Sequence, residues 1–300
     1  MNRLLLFPVV ACTLAAPVSA FAEPAVTVVR HTYKTTEKRP LELICHLPAD
    51  WRPTDHRPAI VFYYGGGFWI WNVEQFAQQA DYFARRGLVA ILADYRTGEK
   101  DGTKPPAAFE DARSAVRWIR SQAPRLGVDP GRLAASGGSA GGSLAASLVI
   151  ADGLDAPGED RTISVRPDTL LLYNPGLASA SNDRTLQRFG SEEVWRKTAA
   201  VLHASERTPS ILLLYGSQDN LLNGGRAYAA KLQALGVRVD LHVTDGVGHG
   251  FFNFPPHLAA TTRLVDTFLQ SLGWLKPEPI VPLPWAPARL SETANNPERG

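Results

Sequence analysis

The chain has 300 residues, 45% of them hydrophobic and 20% charged, with a net charge of +2. That balance excludes a disordered polypeptide, and the length suits one large domain or two small ones. There is no block of lysines or arginines and no acidic tail, so charge points to neither nucleic acid nor an anionic surface as a partner.

Residues 1–22 read as a signal peptide: Asn2 and Arg3 form a positive start, residues 4–16 an apolar run, and Ala20-Phe21-Ala22 a small-x-small cleavage site. The run falls short of the ~20 apolar residues of a membrane span, which disfavours an uncleaved anchor. Val9-Val10-Ala11-Cys12 resembles a lipobox, but Leu14-Ala15-Ala16 continue the apolar run towards the better cleavage site. The expected protein is therefore secreted or periplasmic, with a catalytic domain over residues 23–275. Cys12 would leave with the signal peptide, so Cys45 remains as a single thiol without an internal disulfide. Its place in the alternating segment Leu41-Glu42-Leu43-Ile44-Cys45 points to a buried structural role.

Period-two alternation and β-branched content predict strands over residues 27–33 and 41–47, and a continuous apolar run predicts one over 59–64. A helix over 73–86 ends at Gly87, a strand follows at 89–95, and an amphipathic helix spans 107–122. Asp129-Pro130-Gly131 makes a turn before a strand at 132–136 and a small-residue helix at 140–150. Strands at 169–173 and 211–215, a helix at 225–235, a strand at 237–243 and a helix at 257–272 complete the alternation. This pattern predicts an α/β fold, a mostly parallel twisted sheet flanked by helices. Two segments break it: a lid-like insertion over 176–208, with one helix near 192–203, and a proline-rich tail over 276–300.

Gly137-Gly138-Ser139-Ala140-Gly141 is a G-x-S-x-G sequence between a predicted strand and a predicted helix. A nucleophile elbow needs that setting, because the serine sits in a strained turn and the glycines let strand and helix approach. Ser136 lacks the glycine two residues before it. A serine hydroxyl needs a base. Of seven histidines, His249 alone stands in a glycine-rich loop after a late strand, where ligands meet parallel sheets. Asp219, directly after the strand at 211–215, completes the order Ser…Asp…His, with Asp245 as runner-up. Tyr64-Gly65-Gly66-Gly67 follows the strand at 59–64. Its glycines can turn backbone N–H groups towards a developing oxyanion. Gly66, Gly67 and Ala140 are the expected donors. Trp69 and Trp71 come next as candidate walls for a sugar or phenolic group, with packing under the loop as the other reading. Asp94 and Arg96 are read as a structural pair supporting that loop. No spacing of metal ligands, no dinucleotide fingerprint and no phosphate loop occurs, so neither a metal nor another cofactor is expected.

These motifs, with Asp94-Tyr95-Arg96, Phe109-Glu110-Asp111-Ala112, Gly127-Val128-Asp129-Pro130 and Gly248-His249-Gly250-Phe251, resemble bacterial relatives of hormone-sensitive lipase, the family IV carboxylesterases, and nearby feruloyl and acetyl-xylan esterases. The resemblance spans roughly residues 25–272 and implies the α/β-hydrolase fold, the Ser139–Asp219–His249 triad and esterase chemistry on a small or polysaccharide-linked ester. There are three departures. Tyr64 replaces the family's usual histidine, Gly138 replaces a common acidic residue, and residues 23–58 leave room for little beyond two strands. A serine peptidase of the oligopeptidase type would need a large gating domain. A non-catalytic binding protein on this fold would be expected to lose the serine or the histidine.

Overall fold

The computed structural model describes residues 25–151, 154–177 and 183–277. The predicted signal peptide, Cys12 and residues 278–300 of the tail lie outside the described residues.

Strands β1 (Thr27–Thr35) and β2 (Pro40–Leu47) form an antiparallel hairpin, and β3 (Arg57–Tyr63) leads through α1 (Ala77–Arg85) to β4 (Val89–Ala93). The one-turn helix α2 (Gly98–Asp101), the long α3 (Pro105–Ser121) and the one-turn α4 (Ala123–Leu126) precede β5 (Val128–Gly138). Then come α5 (Ala140–Ser147), β6 (Thr169–Tyr173), α6 (Asp183–Phe189), α7 (Glu192–Thr198), β7 (Ile211–Gly216), α8 (Leu222–Ala234), β8 (Val239–Thr244) and α9 (His257–Ser271). The eight strands make one sheet in the order β1-β2-β4-β3-β5-β6-β7-β8. β2 runs antiparallel to β1 and β4, and every pairing from β4 to β8 is parallel. This is the α/β-hydrolase arrangement.

The central strands are apolar on both faces because helices cover both. Every residue of β4, β6 and β7 is buried, as expected for a parallel sheet. Cys45 is wholly buried in β2, and burial pushes its thiol up to about 12, which keeps it protonated and unreactive. The predicted turn at Asp129 lies within β5, where the Gly131 N–H donates to Asp129 Oδ1 at 2.9 Å and the register against β3 shifts.

The insertion carries two helices where the sequence suggested one. α6 was not anticipated, and the segment expected as a helix to residue 203 ends at Thr198, with a 3-10 turn over Ala200–His203. Phe189 at the end of α6 packs against Phe109 of α3 and Phe68, with ring centroids 6.1 and 6.0 Å apart. Exposed pairs Arg196–Glu192 and Lys197–Glu193 brace α7 at 2.8 Å each. Residues 178–182 of the insertion lie outside the described residues. No helix among the described residues is long and apolar enough to cross a membrane.

Candidate active site

Parallel strands of one sheet end on a common edge, and their following loops meet there. The loops after β3, β5, β7 and β8 bring Gly65–Gly67, Ser139, Asp219 and His249 to that edge.

Ser139 sits between β5 and α5 with φ 52° and ψ −114°, a conformation that costs a non-glycine residue about 1–3 kcal/mol. The surrounding structure enforces it. The Ser139 N–H donates to the Tyr173 carbonyl at the end of β6 at 2.9 Å. The following helix passes so close to β3 that a Cβ on Gly141 would stand 2.0 Å from the Tyr63 carbonyl oxygen. A side chain at position 138 has no room, because a Cβ there would meet the Phe252 ring at 2.5 Å.

His249 Nε2 lies 2.8 Å from Ser139 Oγ, and His249 Nδ1 lies 2.9 Å from Asp219 Oδ2. A carboxylate only accepts, so Nδ1 carries the proton and Nε2 offers its lone pair to the serine hydroxyl. The Asp219 side chain is fully buried, while that of His249 is 42% exposed. Burial of the acid is offset by donors. The Leu221 N–H donates to Oδ1 at 2.9 Å, and the Asn174 side-chain amide donates to Oδ2. Backbone bonds from Ser217 to Thr244 and from Gln218 to Val247, at 2.8 and 3.0 Å, hold the acid's loop against the histidine's. Asp245, the alternative acid, instead accepts from Ser217 Oγ at 3.0 Å. Ser136 is buried and spends its hydroxyl on the Leu171 carbonyl at 2.6 Å. Other histidines are used elsewhere: His31 packs on Trp118, His203 contacts the Arg196 carbonyl, and His257 meets the edge of Phe251.

The glycine loop faces this relay. A Cβ on Gly65 would stand 3.5 Å from Ser139 Cβ. Gly66 and Gly67 have φ of 108° and 62°, which turn the chain sharply and leave their N–H groups without an acceptor among the described residues. Below it, Tyr64 stacks on Tyr95. Asp94 Oδ1 accepts from the Trp71 indole at 2.9 Å and from the Tyr64 hydroxyl at 3.4 Å. Asp94 and Arg96 are not each other's partners, correcting the expectation of a pair. Asp94 binds Arg39, and Arg96 reaches Asp111 and Glu110 at 2.7 and 3.0 Å. A short, buried stretch of chain faces them in different directions, so each is satisfied by a different element.

Trp69 and Trp71 are anchored on the α2 segment. The Trp69 ring covers Gly98, and Lys100 sits 3.4 Å over the Trp71 ring centroid. Trp69 remains 63% exposed. Sequence reasoning missed three residues. Asn174 supports Asp219. Gln75 accepts from the Gly65 N–H at 2.6 Å and donates to Asn253 Oδ1 at 3.0 Å, and Asn253 donates to the Gly250 carbonyl at 2.9 Å. Gln75 and Asn253 thereby tie the glycine loop to the loop bearing His249. A polar residue ending the buried strand β6 was a signal for Asn174; Gln75 and Asn253 had none.

Sequence and structure comparisons relate the chain to known proteins. A family model described as the alpha/beta hydrolase fold matches residues 60–253. The chain is 27% identical to carboxylesterase NlhH of Mycobacterium tuberculosis, over 74% of this chain and 76% of that one. It is 29% identical to ethyl acetate hydrolase of Pseudomonas putida, over 67% and 70%. Solved structures of Thermogutta terrifontis esterase 2 superpose with a TM-score of 0.79 at 38% identity, covering 86% of this chain and 98% of that one. The chain belongs to the α/β-hydrolase fold family. Within it, this is a carboxylic ester hydrolase of the group related to hormone-sensitive lipase.

Proposed function

We propose that the protein hydrolyses short-acyl, aryl or sugar carboxylic esters through an acyl-enzyme on Ser139. The relay from Asp219 through His249 to Ser139 Oγ, 2.9 and 2.8 Å long and placed against the glycine loop, carries this reading.

In this mechanism Ser139 Oγ attacks the ester carbonyl carbon as His249 Nε2 takes its proton. Charge develops on the carbonyl oxygen and is stabilised by the N–H groups of Gly66, Gly67 and Ala140, each such donor being worth about 3–4 kcal/mol elsewhere. Collapse expels the alcohol, which receives the proton from Nε2, leaving the acyl group on Oγ. Water then attacks with His249 as base, and the second collapse returns the proton to Ser139 and frees the acid. Asp219 holds the Nδ1–H tautomer and stabilises the imidazolium. Structures of Thermogutta terrifontis esterase 2 with propionate or butyrate bound, and of the same protein phosphorylated by paraoxon, support a short acyl site and a covalent intermediate. The exposed Trp69 and the partly exposed Trp71 suit a ring on the alcohol side of the ester. Residues 1–22, read as a signal peptide, support action outside the cytoplasm on plant or algal polysaccharide esters.

Paraoxon treatment followed by peptide mass mapping tests this assignment. One phosphoryl adduct on the Ser139 peptide, absent from Ser139→Ala, is expected. Labelling confined to another residue would contradict it.

A further inference from the structure

Gly67 is remarkable only for what it leaves space for. Its φ of +62° already favours glycine, and a Cβ there would stand 3.0 Å from the Arg188 guanidinium. Arg188, on α6 of the insertion, therefore lies directly over the glycine loop. Its guanidinium lies 5.6 Å from the Phe68 ring centroid, at the outer limit of a cation–π contact. No carboxylate pairs with it among the described residues. By contrast, Arg39, Arg96, Arg113, Arg117 and Arg196 each reach an aspartate or glutamate.

An unpaired guanidinium beside a reaction centre is a recognition device for an anion, because its fork of N–H donors matches a carboxylate. The loop sets the scale. Gly65 abuts Ser139 and Gly67 abuts Arg188, and two residues of chain span at most about 7 Å. A carboxylate a few carbons from the scissile carbonyl can reach the guanidinium while that carbonyl sits at Ser139. Partial burial pushes the guanidinium down from its ordinary value, a cost that a bound anion would offset.

We infer that Arg188 is a specificity residue that binds a carboxylate on the substrate, so that the enzyme favours half-esters of dicarboxylic acids and similar acid-bearing esters over neutral ones. This rests on the esterase reading above and refines its substrate class. Propionate or butyrate esters would fill the same acyl site without using the arginine.

The test compares ethyl hydrogen glutarate with its neutral amide, ethyl glutaramate, which has nearly the same shape and lacks the charge. Wild type should show kcat/KM for the acid about ten-fold or more above that for the amide, chiefly through KM. The preference should shrink as salt is added. Arg188→Gln should bring the ratio to about one, and Arg188→Lys should restore part of it. The ratio is taken within each protein, so a general loss of activity cancels. A wild-type ratio at or below one, or a ratio unchanged in Arg188→Gln, overturns the assignment. p-Nitrophenyl acetate, run alongside, separates the two levels. Its turnover with no acid preference sinks the role of Arg188 alone, and no turnover of any ester sinks the esterase reading with it.

Discussion

Tyr64 and Tyr95 stack with ring centroids 4.0 Å apart, and each donates its hydroxyl to the other's backbone carbonyl oxygen, at 3.0 Å from Tyr64 and 2.7 Å from Tyr95. The pair joins the end of β3 to the end of β4 immediately beneath Gly65. The support of the glycine loop thus comes from a reciprocal lock between two strands.

The lock is asymmetric. The Tyr95 carbonyl also accepts from Arg39 at 3.2 Å, so Tyr64→Phe leaves it paired. Tyr95→Phe strands the buried Tyr64 carbonyl beside the glycine loop. We expect Tyr95→Phe to cost about 1–3 kcal/mol and Tyr64→Phe less, with the larger fall in kcat also in Tyr95→Phe. Urea unfolding and steady-state kinetics on both variants check the order. Equal effects would mean that another donor serves Tyr64.

Asp219 is the buried acid, and Asp245 is tied to Ser217. Asp219→Asn should lower kcat by about four orders of magnitude, since an amide favours the wrong histidine tautomer. Asp245→Asn should stay within a few-fold of wild type. Side-by-side kinetics with the reverse ranking would transfer the acid role.

Asn174 has φ 45° and gives its amide to Asp219. Asn174→Ala should leave the acid short of a donor and lower kcat. Asn174→Asp should be worse, because it sets a second carboxylate against the first and only one of two such close groups ionises readily. The kcat–pH profile of Asn174→Asp should show its acidic limb displaced upwards. An unchanged profile would remove Asn174 from the positioning of the triad.

His46 is buried in β2, its Nδ1 without a partner among the described residues, and burial lowers its pKa from the ordinary 6.5. The folded state thus binds fewer protons than the unfolded chain between the lowered value and 6.5. Stability rises with pH through that window and declines as pH falls below 6.5. His46→Gln should flatten this part of the profile. Thermal melts across the window check it, and a slope identical to wild type would assign the acid sensitivity to other groups.

Much of this was legible in the sequence because it is local. Strand periodicity running into G-x-S-x-G and out into small residues located Ser139, and the strand-end positions of Asp219 and His249 followed from the same alternation. What was not legible depends on elements far apart in the chain. Asp94 and Arg96 are two residues apart, yet their partners lie on β2's approach and on α3. Gln75 meets Asn253 across 178 positions, and Arg188 meets Gly67 only because α6 folds back over the loop. Periodicity records which face of an element is buried, not which distant side chain lies against it. α6 itself carries too few apolar positions in seven residues to declare its period.

The insertion's polar, self-paired helix α7 argues against a long apolar tunnel, where each added methylene would gain about 0.8 kcal/mol by burial. Specificity constants for p-nitrophenyl acetate, butyrate, decanoate and palmitate should therefore fall towards the long chains. A maximum at palmitate would point to a covered groove.

The account rests most directly on Ser139. Steady-state hydrolysis of p-nitrophenyl acetate by wild type and Ser139→Ala, both shown folded by circular dichroism, measures its role. Triad members act as a unit, so kcat should fall at least about a thousand-fold in Ser139→Ala with the melting temperature little changed, because alanine keeps the same backbone conformation and removes only the hydroxyl. A folded Ser139→Ala variant that kept more than a few per cent of wild-type turnover would contradict the assignment of Ser139 as nucleophile.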